Sequence, residues 1–214
     1  MINVLVVDDH DLVRTGITRM LEDEEGITVV GQAASGEEAI TLTKELSPDV
    51  ILMDVKMPGI GGLEATRKLQ RTHPDVKVIA VTICEEEPFP SRLLQAGAAG
   101  YLTKGAAMQE VVKAIQVVNS GQRFISPEIA QQLALKPFNK DGSPFDELSE
   151  RELQIAMMIV NCHKVQEISD KLFLSPKTVN SYRYRLFDKL GINSDVELTL
   201  LAVRHGMLDA ETSV

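Results

Sequence analysis

The sequence predicts an α/β domain with a five-stranded, doubly wound parallel sheet, followed by an all-α domain of four helices. In the first half, short apolar runs such as residues 4–7 and 50–53 alternate with amphipathic helical periods, which is typical of βαβ units. The second half shows helical periods without further strand patterns. The length of 214 residues also suits two domains better than one.

We place the α/β domain at residues 1–120, a linker with a short helix at 121–144, and the helical domain at 145–210. Ser126-Pro127 is a good helix start, with serine as the N-cap and proline at the first helical position. Residues 136–144 contain two prolines and a glycine among polar residues, which indicates a flexible tether.

Composition and charge narrow the possible classes of function. The net charge of −9 argues against non-specific binding of nucleic acid by the whole surface, but it allows a local basic face. No apolar run approaches the roughly 18 residues that a membrane span needs. The first residues also lack the basic segment and the cleavage site of a signal peptide. We therefore expect a cytoplasmic protein with no membrane partner.

Polar side chains follow four of the predicted strands, at the point where each strand ends. Asp8 and Asp9 follow the first strand, Asp54 ends the third, Thr82 the fourth, and Lys104 follows the fifth. In a doubly wound sheet these ends meet at one crevice. Crowded carboxylates need a cation, and ligands that are all oxygen favour Mg²⁺ over Zn²⁺. A lysine and a threonine beside them can hold phosphoryl oxygens.

The simplest chemistry for this set is phosphoryl transfer to Asp54, which would act as a nucleophile and form an aspartyl phosphate. Taken singly, Asp54 could equally be a helix N-cap, and Thr82 and Lys104 could be ordinary surface residues. Their joint occurrence, in order and on the right strands, favours the functional interpretation.

This constellation resembles the receiver domain of bacterial two-component response regulators, over about residues 1–120. Met57-Pro58-Gly59 and Gly61-Gly62-Leu63, which follow the acidic strand, extend the match. The resemblance implies a flavodoxin-like fold and a sensor histidine kinase that donates a phosphoryl group to Asp54. It also implies a set of Mg²⁺ ligands: Asp9, Asp54 and the carbonyl of Lys56, with Asp8 supporting the metal. Thr82 and Tyr101 correspond to the family's switch pair, in which the hydroxyl follows the phosphoryl group and the ring turns inward.

The third helix of the second half differs from its neighbours in charge. Ser175-Pro176 starts it and Gly191 ends it. Its basic residues are Lys177, Arg183, Arg185 and Lys189, against the single acid Asp188, which makes a local charge of +3. A short helix, a tight turn and a helix with a basic outer face are typical of helix-turn-helix DNA binding, although an ordinary helical bundle is the alternative.

Several motifs of this half resemble the LuxR-type DNA-binding domain, from about residue 145 to 208. They are Leu148-Ser149-Glu150-Arg151-Glu152, Glu167-Ile168-Ser169, Leu174-Ser175-Pro176-Lys177-Thr178-Val179 and Lys189-Leu190-Gly191. A receiver followed by this domain defines the NarL/FixJ class of response regulators. The resemblance implies contacts to base edges from Asn180, Ser181 and Tyr184. It implies contacts to phosphates from Lys177, Thr178, Arg185 and Lys189.

The chain departs from these family patterns at a few positions. Gly105 follows the active lysine where receivers commonly have a proline, and Pro88 and Pro90 should delay the helix after the fourth strand. Asn161-Cys162-His163 lies where the LuxR-type domain tends to have a glycine turn, and Asp195 lies where that domain often has a basic residue.

Together these observations predict a phosphorylation-dependent transcriptional activator and not an enzyme. We expect phosphorylation to weaken docking of the two halves, so that the last helix (residues 195–205) pairs two chains on promoter double-stranded DNA, where they contact RNA polymerase. One alternative is an aspartyl-phosphate phosphohydrolase, but that class needs an acid two positions after the nucleophile, where this chain has Lys56. Another is a receiver that signals only through protein partners, which the basic third helix disfavours.

Overall fold

The computed structural model describes residues 1–82, 89–135, 143–205 and 207, and the chain divides into two compact units. The first unit contains the described residues up to 135, and the second contains those from 143 onward. Among the described residues, no helix is both long enough and apolar enough to cross a bilayer.

The first unit is a parallel sheet with the strand order β2-β1-β3-β4-β5-β6. The strands are β1 (Ile2–Val7), β2 (Ile27–Ala33), β3 (Val50–Asp54), β4 (Lys77–Thr82), β5 (Gly100–Thr103) and β6 (Phe124–Ile125). The helices are α1 (Asp11–Glu22), α2 (Gly36–Leu46), α3 (Gly61–Thr72), α4 (Phe89–Gln95), α5 (Met108–Asn119) and α6 (Pro127–Leu135). The predicted fold class is therefore confirmed.

Successive residues of the central strands point to opposite faces of the sheet, so both faces are covered. Val4 and Leu52 pack with residues of α1 and α5, including Leu21 and Ile115. The residues beside them on the same strands pack with α2 and α3, in a cluster that includes Leu5, Ile51, Ala39 and Leu69. The strands are buried on both faces, which explains why their sequences are almost continuously apolar.

The sheet has six strands, whereas the sequence predicted five. Phe124 and Ile125 pair in parallel with Gly100 and Tyr101 of β5, and the Phe124 N–H donates to the carbonyl of Ala99 at 3.0 Å. A two-residue strand is too short to show alternation, so its pattern could not reveal it. It covers what would otherwise be the open edge of β5.

The predicted helix after Ser126-Pro127 is present as α6, but residues 121–135 are not a free linker. Ile129 is fully buried in the same apolar cluster as Leu93 of α4 and Tyr101 of β5, which places α6 within the first unit.

The Ser126 hydroxyl is buried and makes no hydrogen bond among the described residues, so its predicted capping role is wrong. Most of the predicted tether, residues 136–142, lies outside the described residues.

The described part of the second unit contains a short 3-10 helix (Pro144–Glu147) and four α-helices: α7 (Glu150–Val160), α8 (Val165–Leu172), α9 (Pro176–Leu190) and α10 (Asp195–Arg204). Ser149 and Glu152 form a capping box at the start of α7, and the Ser175 hydroxyl accepts from the Thr178 N–H at the start of α9. The 3-10 helix was not predicted. Its Phe145 is fully buried, so it belongs to the core of this unit.

The structure bears on two of the positions at which the chain departs from the family patterns. Cys162 adopts φ 61 after the end of α7, which is the left-handed conformation that a glycine would favour at such a turn. It is exposed rather than packed. Helix α4 is described from Phe89 to Gln95, and the predicted delay of its start falls on residues 83–88, which lie outside the described part of the chain.

We expect Gly62→Ala to destabilise the first unit by roughly 2 kcal/mol, because overpacking cannot be relieved there without moving backbone. A Cβ at Gly62 would lie 2.0 Å from the carbonyl oxygen of Asp54. Gly16→Ala in α1 is the matched control. It has no atom within 4 Å of an added Cβ, so it should gain about 0.5–1 kcal/mol. Chemical denaturation of the full chain measures both changes, and equal midpoints for the two variants would contradict the packing argument.

Candidate functional site

The register of the sheet brings the predicted polar residues to one edge. Val7 lies beside Met53, Asp54 beside Val81, and Thr82 beside Thr103, so β1, β3, β4 and β5 end at nearly the same level. The residues that end or follow these strands therefore face a common crevice.

Lys104 joins two carboxylates at this crevice. Its Nζ lies 2.6 Å from Asp8 Oδ2 and 2.9 Å from Asp54 Oδ2. Both aspartates are buried, with only 2% of each residue exposed. Since an unpaired buried charge is strongly unfavourable, this single ammonium compensates two carboxylates that would otherwise repel each other.

The second oxygen of Asp54 is held by the loop that follows β3, because the Lys56 N–H donates to Oδ1 at 3.2 Å. Burial raises the pKa of Asp54, and the hydrogen bond and charge of Lys104 only partly oppose this shift. Burial alone would lower the pKa of Lys104, but its hydrogen bonds to Asp8 and Asp54 outweigh burial and raise it. The lysine therefore remains charged. A further cation nearby would stabilise the ionised form of Asp54.

Four neighbouring side chains could hold such a cation. Asp8, Asp9, His10 and Asp54 each offer one ligand atom, and these atoms lie within 4.8 Å of one another. Asp9 Oδ1 is buried without a hydrogen bond; His10 Nδ1 is 3.0 Å away but outside hydrogen-bonding geometry. A buried carboxylate oxygen that accepts no hydrogen bond, in a set dominated by oxygen, fits a hard divalent cation such as Mg²⁺.

His10 was not among the predicted site residues, although it directly follows the aspartate pair. Its backbone N–H donates to Asp8 Oδ1 at 2.8 Å, and its ring is largely exposed at the rim of the crevice. The signal that could have identified it is its position in the loop after β1, which shapes the crevice as much as the aspartates do.

Thr82 and Tyr101 are both fully buried. The carbonyl of Thr82 accepts from the Lys104 N–H at 2.9 Å, so its backbone is linked to the lysine that joins the carboxylates. Tyr101 packs in the cluster that contains Leu93 and Ile129. Its ring already lies inside the unit, whereas the family resemblance describes inward turning as a step of the switch.

In the second unit, α9 presents a polar outer face. Besides Lys189, which is also exposed, four of the predicted contact residues on it are exposed: Lys177, Ser181, Tyr184 and Arg185. Two are half-buried: Thr178 and Asn180. The guanidinium of Arg185 lies 5.8 Å from the ring centre of Tyr182 on the same helix. This face therefore combines one aromatic ring, one lysine and one arginine with small hydrogen-bonding side chains.

The remaining predicted contact residue, Lys189, is exposed but takes part in an ion pair within the unit. Its Nζ lies 2.7 Å from Glu152 Oε2 and 3.3 Å from the carbonyl of Glu147. Burial tends to raise the pKa of Glu152, but the hydrogen bonds from Lys189 and Ser149 prevail and lower it. Lys189 thus links the end of α9 to the capping box of α7.

Arg183, a further basic residue of α9, is paired as well. Its Nε and Nη2 donate to the two carboxylate oxygens of Asp195 at 2.8 and 2.6 Å, and its guanidinium lies over the ring of Phe187. The acidic residue at position 195 therefore has a partner within the unit. Since Arg183 and Lys189 are both paired, the positive charge on the outer face of α9 comes from Lys177 and Arg185.

Helix α10 leaves part of its apolar surface uncovered. Val196, Leu200 and Val203 are exposed by 69%, 54% and 41%. They are spaced three and four residues apart, so they lie on one side of the helix. Leu198 and Ala202, on the other side, are buried in the core of the unit.

Both parts of the chain match known families. Residues 4–116 match the response regulator receiver domain, and residues 146–202 match the luxR family of bacterial regulatory proteins. The structure of RcsB from Salmonella enterica serovar Typhimurium, bound to promoter rprA in the presence of the phosphomimetic BeF₃⁻, is similar with a TM-score of 0.69. The identity is 25%, and the match covers 95% of this chain and 99% of that one.

Relatives that match over nearly the whole chain define its family more narrowly than the two domain matches do. It is 74% identical over 212 residues to the response regulator GacA of Pseudomonas viridiflava, which covers 98% of this chain and 99% of the relative. It is 62% identical over 214 residues to the response regulator UvrY of Escherichia coli, covering 99% of this chain and 98% of that protein. The chain therefore belongs to the DNA-binding, transcription-regulating response regulators of two-component systems that join a receiver domain to a LuxR-type domain, the family of GacA and UvrY.

Proposed function

We propose that this response regulator accepts a phosphoryl group on Asp54 from a phosphohistidine of a sensor kinase, of the hybrid kind, and that this step controls promoter binding. The observation that most supports it is the Lys104 ammonium between the buried carboxylates of Asp8 and Asp54. In the transfer, an Asp54 oxygen attacks phosphorus, the phosphorus–nitrogen bond breaks, and the imidazole leaves with its electron pair.

Each neighbour of Asp54 has a role in this proposal. Lys104 exchanges part of its contact with Asp54 for a phosphoryl oxygen, and the Thr82 hydroxyl binds another. Mg²⁺ would be held by Asp9, Asp54 and the carbonyl of Lys56, with Asp8 in support, and it would neutralise charge on the phosphoryl oxygens. The buried oxygen of Asp9, which accepts no hydrogen bond, supports this assignment. We assign Thr82 and Tyr101 to the switch that reports the phosphoryl group.

The geometry gives less support to the phosphohydrolase alternative. That class uses an acid two positions after the nucleophile to protonate the leaving group, and here Lys56 occupies this position with an exposed side chain. A regulator whose phosphoryl group is a signal rather than a turnover intermediate agrees better with these residues and with the family.

The second unit provides the output of the proposed function. We assign Asn180, Ser181 and Tyr184 of α9 to base edges in the major groove of promoter DNA, and Lys177, Thr178 and Arg185 to phosphates. The ion pair with Glu152 supports moving Lys189 from the phosphate contacts to the internal framework of the unit.

The exposed apolar side of α10 supports a homodimer on DNA when the protein is phosphorylated. Val196, Leu200 and Val203 would pack against the same residues of a second chain, which forms a self-complementary interface. A dimer places two α9 helices on adjacent half-sites. RNA polymerase is the further partner of this proposal, and the cytoplasm is the compartment where kinase, DNA and polymerase are all accessible.

Asp54→Asn should abolish phosphorylation of the full-length chain by acetyl phosphate, because the amide nitrogen cannot replace the carboxylate oxygen as nucleophile. Chelation of divalent cations with EDTA should abolish it in the wild type. Mass spectrometry of the intact protein measures both effects. Asp11→Asn, on α1 beyond the carboxylate cluster, is the matched control and should be phosphorylated normally. Phosphate retained on the Asp54 variant would contradict the assignment, and repeated turnover of a phosphate ester would favour the hydrolase.

Arg185→Ala should weaken binding to all DNA sequences by a similar factor and reduce the salt dependence of binding by about one counterion, as expected for a phosphate contact. Asn180→Ala should instead cost about 1–3 kcal/mol on the preferred site and flatten the sequence preference. Lys44→Ala removes one exposed charge from the first unit and is the charge-matched control. Competition titrations on specific and scrambled duplexes measure these changes. If both α9 variants lowered the affinity for all sequences by a similar factor, the assignment of Asn180 to base edges and of Arg185 to phosphates would be wrong.

A further inference from the structure

The loop that follows Asp54 is bound to the start of α2 through Glu37. One carboxylate oxygen of Glu37, Oε1, accepts a hydrogen bond from the backbone N–H of Ile60 at 3.0 Å, across 23 residues of sequence. The same carboxylate lies against Gly59, where a Cβ would come within 2.5 and 2.6 Å of its two oxygens. Gly59 has φ 75, so the loop turns sharply where Glu37 meets it.

Close packing beside this hydrogen bond holds α2 and the loop together. A Cβ on Gly36 would lie 2.9 Å from Ile60 Cγ1, 2.9 Å from Ala65 Cβ and 3.0 Å from the carbonyl oxygen of Gly61. Glu37 is therefore next to a backbone contact that allows no side chain. Its position in the first turn of α2 also favours its negative charge, because the helix dipole is positive there.

Two further hydrogen bonds hold the loop at or beside the site. At its start, the Lys56 N–H donates to Asp54 Oδ1 at 3.2 Å. At its end, the Gly62 N–H donates to the carbonyl of Val55 at 3.1 Å. Met57, between them, is buried. Glu37 adds an attachment at Ile60, on the far side of the turn, and so limits how far the backbone of Lys56 can move.

We propose that Glu37 is a positioning residue for phosphorylation: it holds the loop so that the Lys56 amide stays on Asp54 and the Lys56 carbonyl stays directed at the bound Mg²⁺. This inference rests on the function proposed above and names a residue outside the crevice that controls it. Glu37 does not act on the phosphoryl group itself. It acts through the backbone of the loop, as outer residues do when they orient metal ligands.

Glu38 provides an internal control for this idea. Its carboxylate accepts from the Ala34 N–H at 2.7 Å, and its own N–H donates to the Ser35 hydroxyl at 3.2 Å. These bonds cap α2 at its own start. Removal of Glu38 should therefore weaken the helix, while removal of Glu37 should release the loop, although the two glutamates are adjacent and carry the same charge.

The test compares Glu37→Ala, Glu37→Gln and Glu38→Ala in the full-length chain, with three measurements by NMR and mass spectrometry. They are hydrogen exchange of the Ile60 amide, Mg²⁺ titration followed by amide shifts, and the rate of phosphorylation by acetyl phosphate. Glu37→Ala should speed exchange at Ile60, raise the half-saturating Mg²⁺ concentration roughly tenfold and slow phosphorylation at low Mg²⁺. Glu37→Gln should stay close to wild type, because its amide oxygen accepts the same hydrogen bond.

Glu38→Ala should lower the thermal midpoint and leave the Mg²⁺ titration unchanged. The inference is overturned if Glu37→Ala binds Mg²⁺ like the wild type, or if Glu38→Ala shifts the titration as much. A wild-type chain that binds Mg²⁺ but takes no phosphoryl group would overturn the proposed function instead. The Mg²⁺ titration and the Ile60 exchange would still decide the role of Glu37.

Discussion

The ion pair of Lys104 with Asp8 and Asp54 is the interaction on which the arrangement of the first unit depends. Two carboxylates buried at one edge of a sheet would repel each other and destabilise the fold, and one ammonium offsets both. Because that lysine follows β5, Asp8 follows β1 and Asp54 ends β3, a single charge ties three strands together. A phosphoryl group on Asp54 would redistribute this contact and so change the relation between β5 and the rest of the site.

The residues of this site that could be predicted from the sequence are those at the ends of strands. A buried parallel strand is nearly all apolar, so Asp54 at the end of one is conspicuous, and the order of the strands places Lys104 near it. The contact between Glu37 and Ile60 could not be predicted in this way, because it joins a helix start to a loop with no shared pattern. The packing of Ile129 on α4 was missed since a short apolar helix after the sheet also suits a linker.

In the second unit, counting charges overstated the basic face. Four basic residues of α9 suggested a strongly positive surface, but Arg183 is paired with Asp195 and Lys189 with Glu152. A sequence shows which residues are charged but not which residues they pair with. The pairing depends on how α7 and α10 cross α9. The pairs have their own consequence, since they fix α9 to the two helices beside it and leave a smaller contact face, centred on Lys177 and Arg185.

We propose that a phosphoryl group at Asp54 changes how this chain binds DNA. The most direct measurement is the affinity of the full-length protein for promoter fragments at fixed salt, with and without Mg²⁺ and beryllofluoride as the phosphoryl mimic. We expect tighter binding with the mimic in the wild type and no change in the Asp54→Asn variant. Equal affinity of the wild type with and without the mimic would contradict the claim and would place the effect of phosphorylation after DNA binding.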